Sequence, residues 1–199
     1  MELMSAVILL LLIMDPLGNI PIFLSVLERV EPARRRRVLA RELLVALVIL
    51  VLFLVFGRAL LNLFSLQEEA IGIAGGIVLM IIAIRMIFPS ERNWADDLPD
   101  GEPFIVPLAI PLIAGPSVLA TLMLMTSREP DRMAEWSLAL GLAWIFNGAI
   151  LLSSSLLFRL LGQRGLIAME RLMGMVLVAV AVQMFLDGLG RYLPRVIEG

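Results

Sequence analysis

The chain has 199 residues, of which 60% are hydrophobic and 17% are charged, and its net charge is −2. Soluble domains are roughly half apolar and about a quarter charged, so this composition indicates a membrane protein in contact with a lipid bilayer and gives no reason to expect a nucleic-acid partner. The sequence contains no Cys and no His, which excludes disulfides, thiolate nucleophiles, histidine metal sites and histidine proton relays. We expect no cofactor.

Six apolar stretches are long enough to cross a bilayer, whose hydrocarbon core of about 30 Å requires about 20 residues of helix. The predicted transmembrane helices cover 3–27, 41–64, 68–88, 104–127, 135–158 and 167–188. The longest connection, at about 89–103, is rich in proline and acidic residues and separates two halves. The first stretch has no basic region before it and no small-residue cleavage site, so we expect a retained helix rather than a signal peptide.

The arginines predict the orientation of these helices. All 16 basic residues are Arg, and 11 of them fall on one side of the predicted membrane: Arg29, Arg34, Arg35, Arg36, Arg37, Arg41, Arg85, Arg92, Arg159, Arg164 and Arg171. The other 5 are Arg58, Arg128, Arg132, Arg191 and Arg195. Short connections rich in arginine stay in the cytoplasm. We therefore expect both termini on the outer side of the membrane.

An internal duplication is predicted, with a first repeat over 1–98 and a second over 99–199. Helix 1 contains Pro-Leu-Gly-Asn-Ile-Pro from Pro16, and helix 4 contains Pro-Leu-Ile-Ala-Gly-Pro from Pro111, at an offset of 95. Gly76 and Gly174 begin a second pair of similar patterns in helices 3 and 6, at an offset of 98. Because each half has three helices, the halves enter the membrane in opposite senses. The expected fold is all-α, with six transmembrane helices in a 3+3 inverted repeat.

Prolines predict that helices 1 and 4 are broken. A proline within a helix removes a backbone hydrogen bond and clashes with the preceding turn, and two such pairs occur, at Pro16, Pro21, Pro111 and Pro116. At about 1.5 Å per residue, Asp15 lies roughly 18 Å and Gly115 roughly 17 Å from the start of its helix, near the midplane. Broken backbone persists at that depth only where protein or a polar cavity satisfies it. Such an arrangement is typical of secondary transporters.

The chemistry expected at the two breaks suits a zwitterion of amino-acid size. Asp15-Pro16 resembles an N-cap followed by proline at the first helical position, and Gly115-Pro116-Ser117 has the same form. Each second half-helix would present free N–H groups and a positive dipole end, both of which suit a substrate carboxylate. Unwound carbonyls, with Asp15 or Asn19, suit an ammonium group or a coupling cation.

The candidate substrate-binding residues are Asp15, Gly18, Asn19, Ala114, Gly115, Ser117, Thr121 and Asn147. Asp15 is also the candidate site for a coupling H⁺ or Na⁺, since an acid inside the membrane is costly and is functional by default. Each candidate except Ala114 has a structural alternative, and for Asn19 this is capping the turn. Asp15 can act as a cap alone, the glycines can serve only the backbone, and Ser117 and Thr121 can bond to their own helix. Asn147 can join two helices.

The sequence from Met14 to Phe23 resembles the first signature of the MarC family, and Ile110–Pro116 resembles its second. Helix 6 is similar as well, at Gly174 and over 182–188. The resemblance covers essentially the whole chain. It implies a multipass protein of the bacterial or archaeal inner membrane, in a family also grouped as neutral amino acid transporters. Relatives that carry glycine and other small neutral amino acids with a coupling cation suggest the same activity here.

The leading hypothesis is therefore a secondary transporter of small neutral amino acids that works by alternating access. An exporter of amino acids or other small metabolites is the first alternative, because the sequence does not give the direction of transport. A non-transporting membrane scaffold is an alternative from another class. An enzyme is not expected, since serine–histidine chemistry lacks its histidine and an aspartyl dyad lacks a second acid near Asp15. The oligomeric state is left open, a homo-oligomer included.

Overall fold

The structure is a computed structural model that describes residues 2–28, 30–88 and 108–197. The predicted connection at about 89–103 and the first residues of the fourth predicted helix lie outside this range. The described residues form helices and no strand: α1 (Leu3–Met14), α2 (Pro16–Glu28), α3 (Arg35–Leu63), α4 (Glu68–Ile87), a π-helical segment (Leu108–Ile113), α5 (Pro116–Arg128), α6 (Met133–Leu152) and α7 (Ser154–Ile197). A single 3₁₀ turn, Pro130–Arg132, joins α5 to α6.

Within the described residues, five helical stretches are long and apolar enough to cross a membrane: Leu3–Leu24, Arg35–Leu63, Glu68–Ile87, Pro130–Leu152 and Ser154–Leu193. Large apolar side chains such as Phe56, Leu63 and Leu160 are exposed along these stretches. Extensive apolar exposure is unfavourable in water and favourable in lipid. The all-helical membrane fold is therefore confirmed, whereas the sixth span and the 3+3 repeat remain predictions.

The connection between α6 and α7 differs from the prediction. The fifth helix was expected to run to 158, but α6 ends at Leu152 and α7 begins at Ser154. Three consecutive serines occupy this junction, and serine side chains compete for backbone hydrogen bonds that a helix would otherwise use. The backbone of α7 then leaves helical geometry at Gly162 (φ 64°, ψ 176°), a conformation that glycine adopts because it has no Cβ. Without this interruption, α7 would be about twice as long as the bilayer core is thick.

The helices pack in matched combinations. α4 packs along α7. α1 packs against α6, and α3 packs against α5. Likewise, α2 packs against α7, and α4 packs against α5. In the numbering of the predicted spans, helix 1 contacts helix 5 and helix 2 contacts helix 4, while helix 1 contacts helix 6 and helix 3 contacts helix 4. Replacing helices 1, 2 and 3 by helices 4, 5 and 6, and the reverse, turns each of these contacts into another one. The contact between helices 3 and 6 is its own counterpart.

Two glycines allow α4 and α7 to approach closely, and their surroundings are reciprocal. A Cβ atom built on Gly76 would lie 2.9 Å from the carbonyl oxygen of Ala181, and one built on Gly174 would lie 3.0 Å from that of Ala83. The same hypothetical atoms would meet the Cβ of Met184 and the Cβ of Met86 at 3.3 and 3.0 Å. Small residues permit such close backbone contact between membrane helices, and here each helix presents the same positions to the other.

Candidate binding site at two helix breaks

The first break lies between α1 and α2, at Asp15. The backbone of Asp15 is left-handed (φ 44°, ψ 61°), and its N–H donates to the carbonyls of Leu11 and Leu12, both at 3.1 Å. Its Oδ1 accepts a hydrogen bond of 3.1 Å from the N–H of Gly18. With Pro16 as the first residue of α2, this is the N-cap geometry in which a side-chain oxygen satisfies the third helical N–H. The sequence prediction of a cap at Asp15 is confirmed.

The other carboxylate oxygen of Asp15 is buried and has no hydrogen-bond partner in the described residues. The Asp15 side chain is 4% exposed. A Cβ atom built on Gly18 would lie 2.1 Å from Oδ2 of Asp15 and 2.3 Å from Cε of Met86, so Met86 and the Gly18 backbone enclose the carboxylate. A buried acceptor without a donor is costly, so this oxygen lies at the helix break without a compensating interaction from the described residues.

The second break separates the π-helical segment from α5. The backbone of Ile110 is extended (φ −128°, ψ 131°), and the N–H of Ala114 donates to the carbonyl of Ala109 at 2.9 Å. α5 then begins at Pro116, with Gly115 in the N-cap position (φ −75°, ψ 158°). No side chain caps this helix. Its first N–H groups therefore face the break without the carboxylate that occupies the equivalent place at α2.

Asn19 joins the two breaks. Its Nδ2 donates to the carbonyl of Met14 at 3.0 Å and to the carbonyl of Leu112 at 3.3 Å. The Met14 carbonyl lies at the first interruption, and the Leu112 carbonyl lies at the second. The side chain therefore bonds to both breaks and links them to each other. Because both amide hydrogens are used in this way, Asn19 positions the backbone.

Ser117 and Thr121 lie on α5 one turn apart, and both are buried. The hydroxyl of Thr121 donates to the carbonyl of Ser117 at 2.8 Å, which is the structural alternative that the sequence left open. The hydroxyl of Ser117 donates to the carbonyl of Gly75 on α4 at 3.3 Å. Neither hydroxyl bonds to the first break, and Ser117 instead fixes the start of α5 against α4.

Asn147 lies in the middle of α6 and is 1% exposed. Neither Nδ2 nor Oδ1 of this amide has a hydrogen-bond partner in the described residues. A buried amide normally has a hydrogen-bond partner at both ends, which can be a protein group, a water or a ligand. The structure gives no hydrogen bond between Asn147 and either break, so its place in the site remains a prediction.

The four prolines have different effects. Pro16 begins α2 and Pro116 begins α5, each at a break. Pro111 lies within the π-helical segment. Pro21 lies inside α2, which continues to Glu28, so the expectation that Pro21 interrupts helix 1 is wrong. The interruption comes instead from the left-handed backbone of Asp15, one position before Pro16.

Two features of the site were not predicted. The first is that Met86 lies next to the Asp15 carboxylate. The sequence marks Met86 only by its match with Met184 in the predicted second repeat. A cavity of about 210 Å³ reaches Thr121 and has Arg128 and Asp187 in its lining. In the described residues, no group of three or more His, Cys, Asp and Glu side chains is arranged to hold a metal ion.

The fold and site define an all-helical integral membrane protein with two interrupted helices in contact. Residues 1–193 match the family model described as MarC family integral membrane protein. The chain is 56% identical over 189 residues to the UPF0056 inner membrane protein YhgN of Escherichia coli (strain K12), covering 94% of this chain and 96% of that protein. The chain belongs to the MarC family.

More distant relatives share the same extent. The chain is 50% identical over 188 residues to a UPF0056 membrane protein of Buchnera aphidicola subsp. Acyrthosiphon pisum, covering 94% of this chain and 96% of that protein. It is 34% identical over 188 residues to a UPF0056 membrane protein of Chlamydia pneumoniae, covering 94% of this chain and 93% of that protein. No solved structure matches the chain.

Proposed function

We propose that this protein is a secondary transporter of small neutral amino acids, coupled to H⁺ or Na⁺ and working by alternating access. The observation that carries the proposal is the Asp15 carboxylate at a helix break, with one oxygen unpaired and with Asn19 tying that break to a second one. Intramembrane acids are rare and mark substrate or ion pathways. A purely structural cap would leave the cost of the unpaired oxygen without a compensating function.

The two half-helices support a defined orientation for the substrate. The N-terminus of α2 is already occupied by Oδ1 of Asp15, so it is not free for a second carboxylate. The N-terminus of α5 has no side-chain cap and takes the substrate carboxylate through its first N–H groups and its dipole. The substrate ammonium or the coupling cation binds Oδ2 of Asp15. This replaces the sequence-based hypothesis that both N-termini bind the carboxylate.

Access to Asp15 requires movement of Met86, because Oδ2 is buried in this conformation. We infer that the two halves form an inverted repeat and move against each other across the contact of α4 with α7. The reciprocal packing of Gly76 and Gly174 supports this inference, since a two-fold relationship makes each partner present the same surface to the other. The name of the similar YhgN protein gives the inner membrane as its location, and the arginine count predicts that both termini lie on the outer side of that membrane.

We propose no enzymatic activity for this protein. The coupling gradient determines the direction of transport, so export would use the same mechanism in the opposite direction. A scaffold that only assembles partners is the competing class. Radiolabelled glycine and alanine uptake into proteoliposomes tests the proposal, with imposed Na⁺ gradients, imposed proton gradients or neither. We expect accumulation driven by one of the gradients and none in protein-free vesicles. No accumulation and no counterflow of either amino acid under any gradient would contradict the proposal.

A further inference from the structure

A second cavity, of about 560 Å³, lies where the C-terminal part of α2 meets the start of α3 and the junction of α6 with α7. We call it the basic cavity, because Arg35, Arg36 and Arg159 are part of its lining. None of the candidate substrate-binding residues lines it. It is therefore a separate feature of the molecule, on the side where the arginine count predicts the cytoplasm.

The lining of the basic cavity is divided into an apolar part and a cationic part. Leucines from four helices, Leu24, Leu27 and Leu39 among them, form most of the apolar part. The polar part consists of the three arginines and the serines of the α6–α7 junction, and none of the described lining residues is acidic. Such a cavity favours a ligand that has both a hydrocarbon segment and a negative charge.

The cationic part has the features of a binding site for an anion. The Nε of Arg35 donates to the carbonyl of Val30 at 3.0 Å, which fixes this guanidinium at the cavity. Arg36 and Arg159 have no hydrogen bond or ion pair with the part of the chain that the structure describes. Two uncompensated guanidinium groups therefore face the same space, and guanidinium is well suited to phosphate oxygens.

Ser154 adds a hydroxyl group to the polar part of the lining. It is 3% exposed, lies in the cavity lining and begins α7. At this position its hydroxyl adds to the N–H groups and dipole of a helix start, which also favour an anion.

We propose that the basic cavity binds a phospholipid with an anionic headgroup, with the phosphate at the arginines and Ser154 and an acyl chain along the leucines. Free phosphate would leave the leucines without a partner, and a zwitterionic amino acid would find no acid for its ammonium group. The cytoplasmic leaflet offers anionic headgroups at this depth, and basic pockets between transmembrane helices are suited to them. The bound lipid would tie α2 to α7 at the membrane surface.

Native mass spectrometry of the purified protein tests this proposal, with dioleoyl phosphatidylglycerol and dioleoyl phosphatidylcholine supplied in equal amounts. We expect one tightly retained phosphatidylglycerol and no comparable phosphatidylcholine. The double variant Arg36→Gln, Arg159→Gln should lose this retention by roughly tenfold or more, because each basic residue at an anionic surface contributes substantially to binding. Both arginines are exposed, so the variant should fold normally.

The matched control removes two exposed arginines from the opposite end, Arg58→Gln with Arg191→Gln, and should retain the lipid as the unaltered protein does. A cavity-filling variant, Leu156→Trp, keeps every charge and should also lose the lipid. Equal retention of both lipids, equal loss in the control variant, or displacement of the lipid by millimolar inorganic phosphate would each overturn the proposal. The last result would assign the cavity to free phosphate.

Discussion

The two helix breaks begin from the same Pro-Leu-x-x-x-Pro pattern and end in different structures. At the first, a left-handed Asp15 caps α2 with its own carboxylate. At the second, an extended Ile110 and a π-helical segment lead to α5, which no side chain caps. The comparison teaches that the same proline pattern can give two unlike helix starts. One has an acid at the cap, and the other has uncapped N–H groups, which we propose bind the substrate carboxylate.

The largest expected effect comes from Asp15→Asn. Asparagine is about as good an N-cap as aspartate, so it retains the bond to Gly18 and the protein should stay folded and inserted. The charge at Oδ2 is lost. We expect gradient-driven glycine uptake to fall by roughly ten- to a hundredfold, the range for a hydrogen bond to a charged group. Initial rates in proteoliposomes measure this.

Asp15→Ala serves as the companion variant, because it removes both the charge and the cap. It should lose uptake to the same extent and also lose about 1 kcal/mol of stability through the missing cap. If Asp15→Asn transports as well as the unaltered protein, with the same ion dependence, Asp15 is a cap and the two breaks do not differ in function.

Gly18→Ala tests the geometry of the first break without changing any charge. A Cβ at Gly18 would lie 2.1 Å from Oδ2 of Asp15 and 2.3 Å from Cε of Met86, so the carboxylate and the methionine must both shift. We expect uptake to fall by about tenfold, because misplacing a binding group weakens every contact that it makes. Gly141→Ala on α6, where a Cβ meets nothing within 4 Å, is the control. Equal uptake by Gly18→Ala and Gly141→Ala would contradict the enclosed geometry at Asp15.

The glycine pair between α4 and α7 tests whether the two breaks belong to equivalent halves. Gly76→Ala and Gly174→Ala each place a Cβ against backbone, at 2.9 and 3.0 Å, and should each destabilise the protein by about 1–3 kcal/mol through overpacking. Thermal unfolding of the purified variants measures this. Gly190→Ala, with nothing within 4 Å, should not be destabilised. A marked loss in one of the pair but not the other would argue against a reciprocal interface.

Thr121→Val should have the smallest effect. Its hydroxyl already donates to the carbonyl of Ser117, and such bonds within a helix contribute little. We expect glycine uptake within about threefold of the unaltered protein, since the net value of one neutral hydrogen bond is about 1 kcal/mol or less in this setting. A loss as large as that of Asp15→Asn would place the hydroxyl in direct contact with the substrate and would revise the site.

The sequence predicted the helical membrane fold because long apolar runs and proline positions are local signals. It also predicted the cap at Asp15, since Asp followed by Pro has strong preferences at a helix start. It could not predict that Asn19 bridges to Leu112 or that Met86 covers Oδ2, because these contacts join segments far apart in the chain. Pro21 lies in the second turn of α2 and lacks the N–H that would bond to the carbonyl of Leu17, yet the helix continues to Glu28. The proline positions alone therefore do not locate the interruption.

The most direct test of the account is the coupling between Asp15 and the ammonium group of the ligand. Alanine and propionate, which lacks the ammonium, are compared as inhibitors of glycine uptake by the unaltered protein and by Asp15→Asn, assayed at saturating gradient. The account predicts that alanine is strongly preferred by the unaltered protein and that this preference shrinks by roughly tenfold or more in the variant, as a mutant cycle between contacting groups requires. An unchanged preference would show that Asp15 does not contact the ammonium and would contradict the proposed ammonium site, which would leave Asp15 as a ligand for the coupling cation alone.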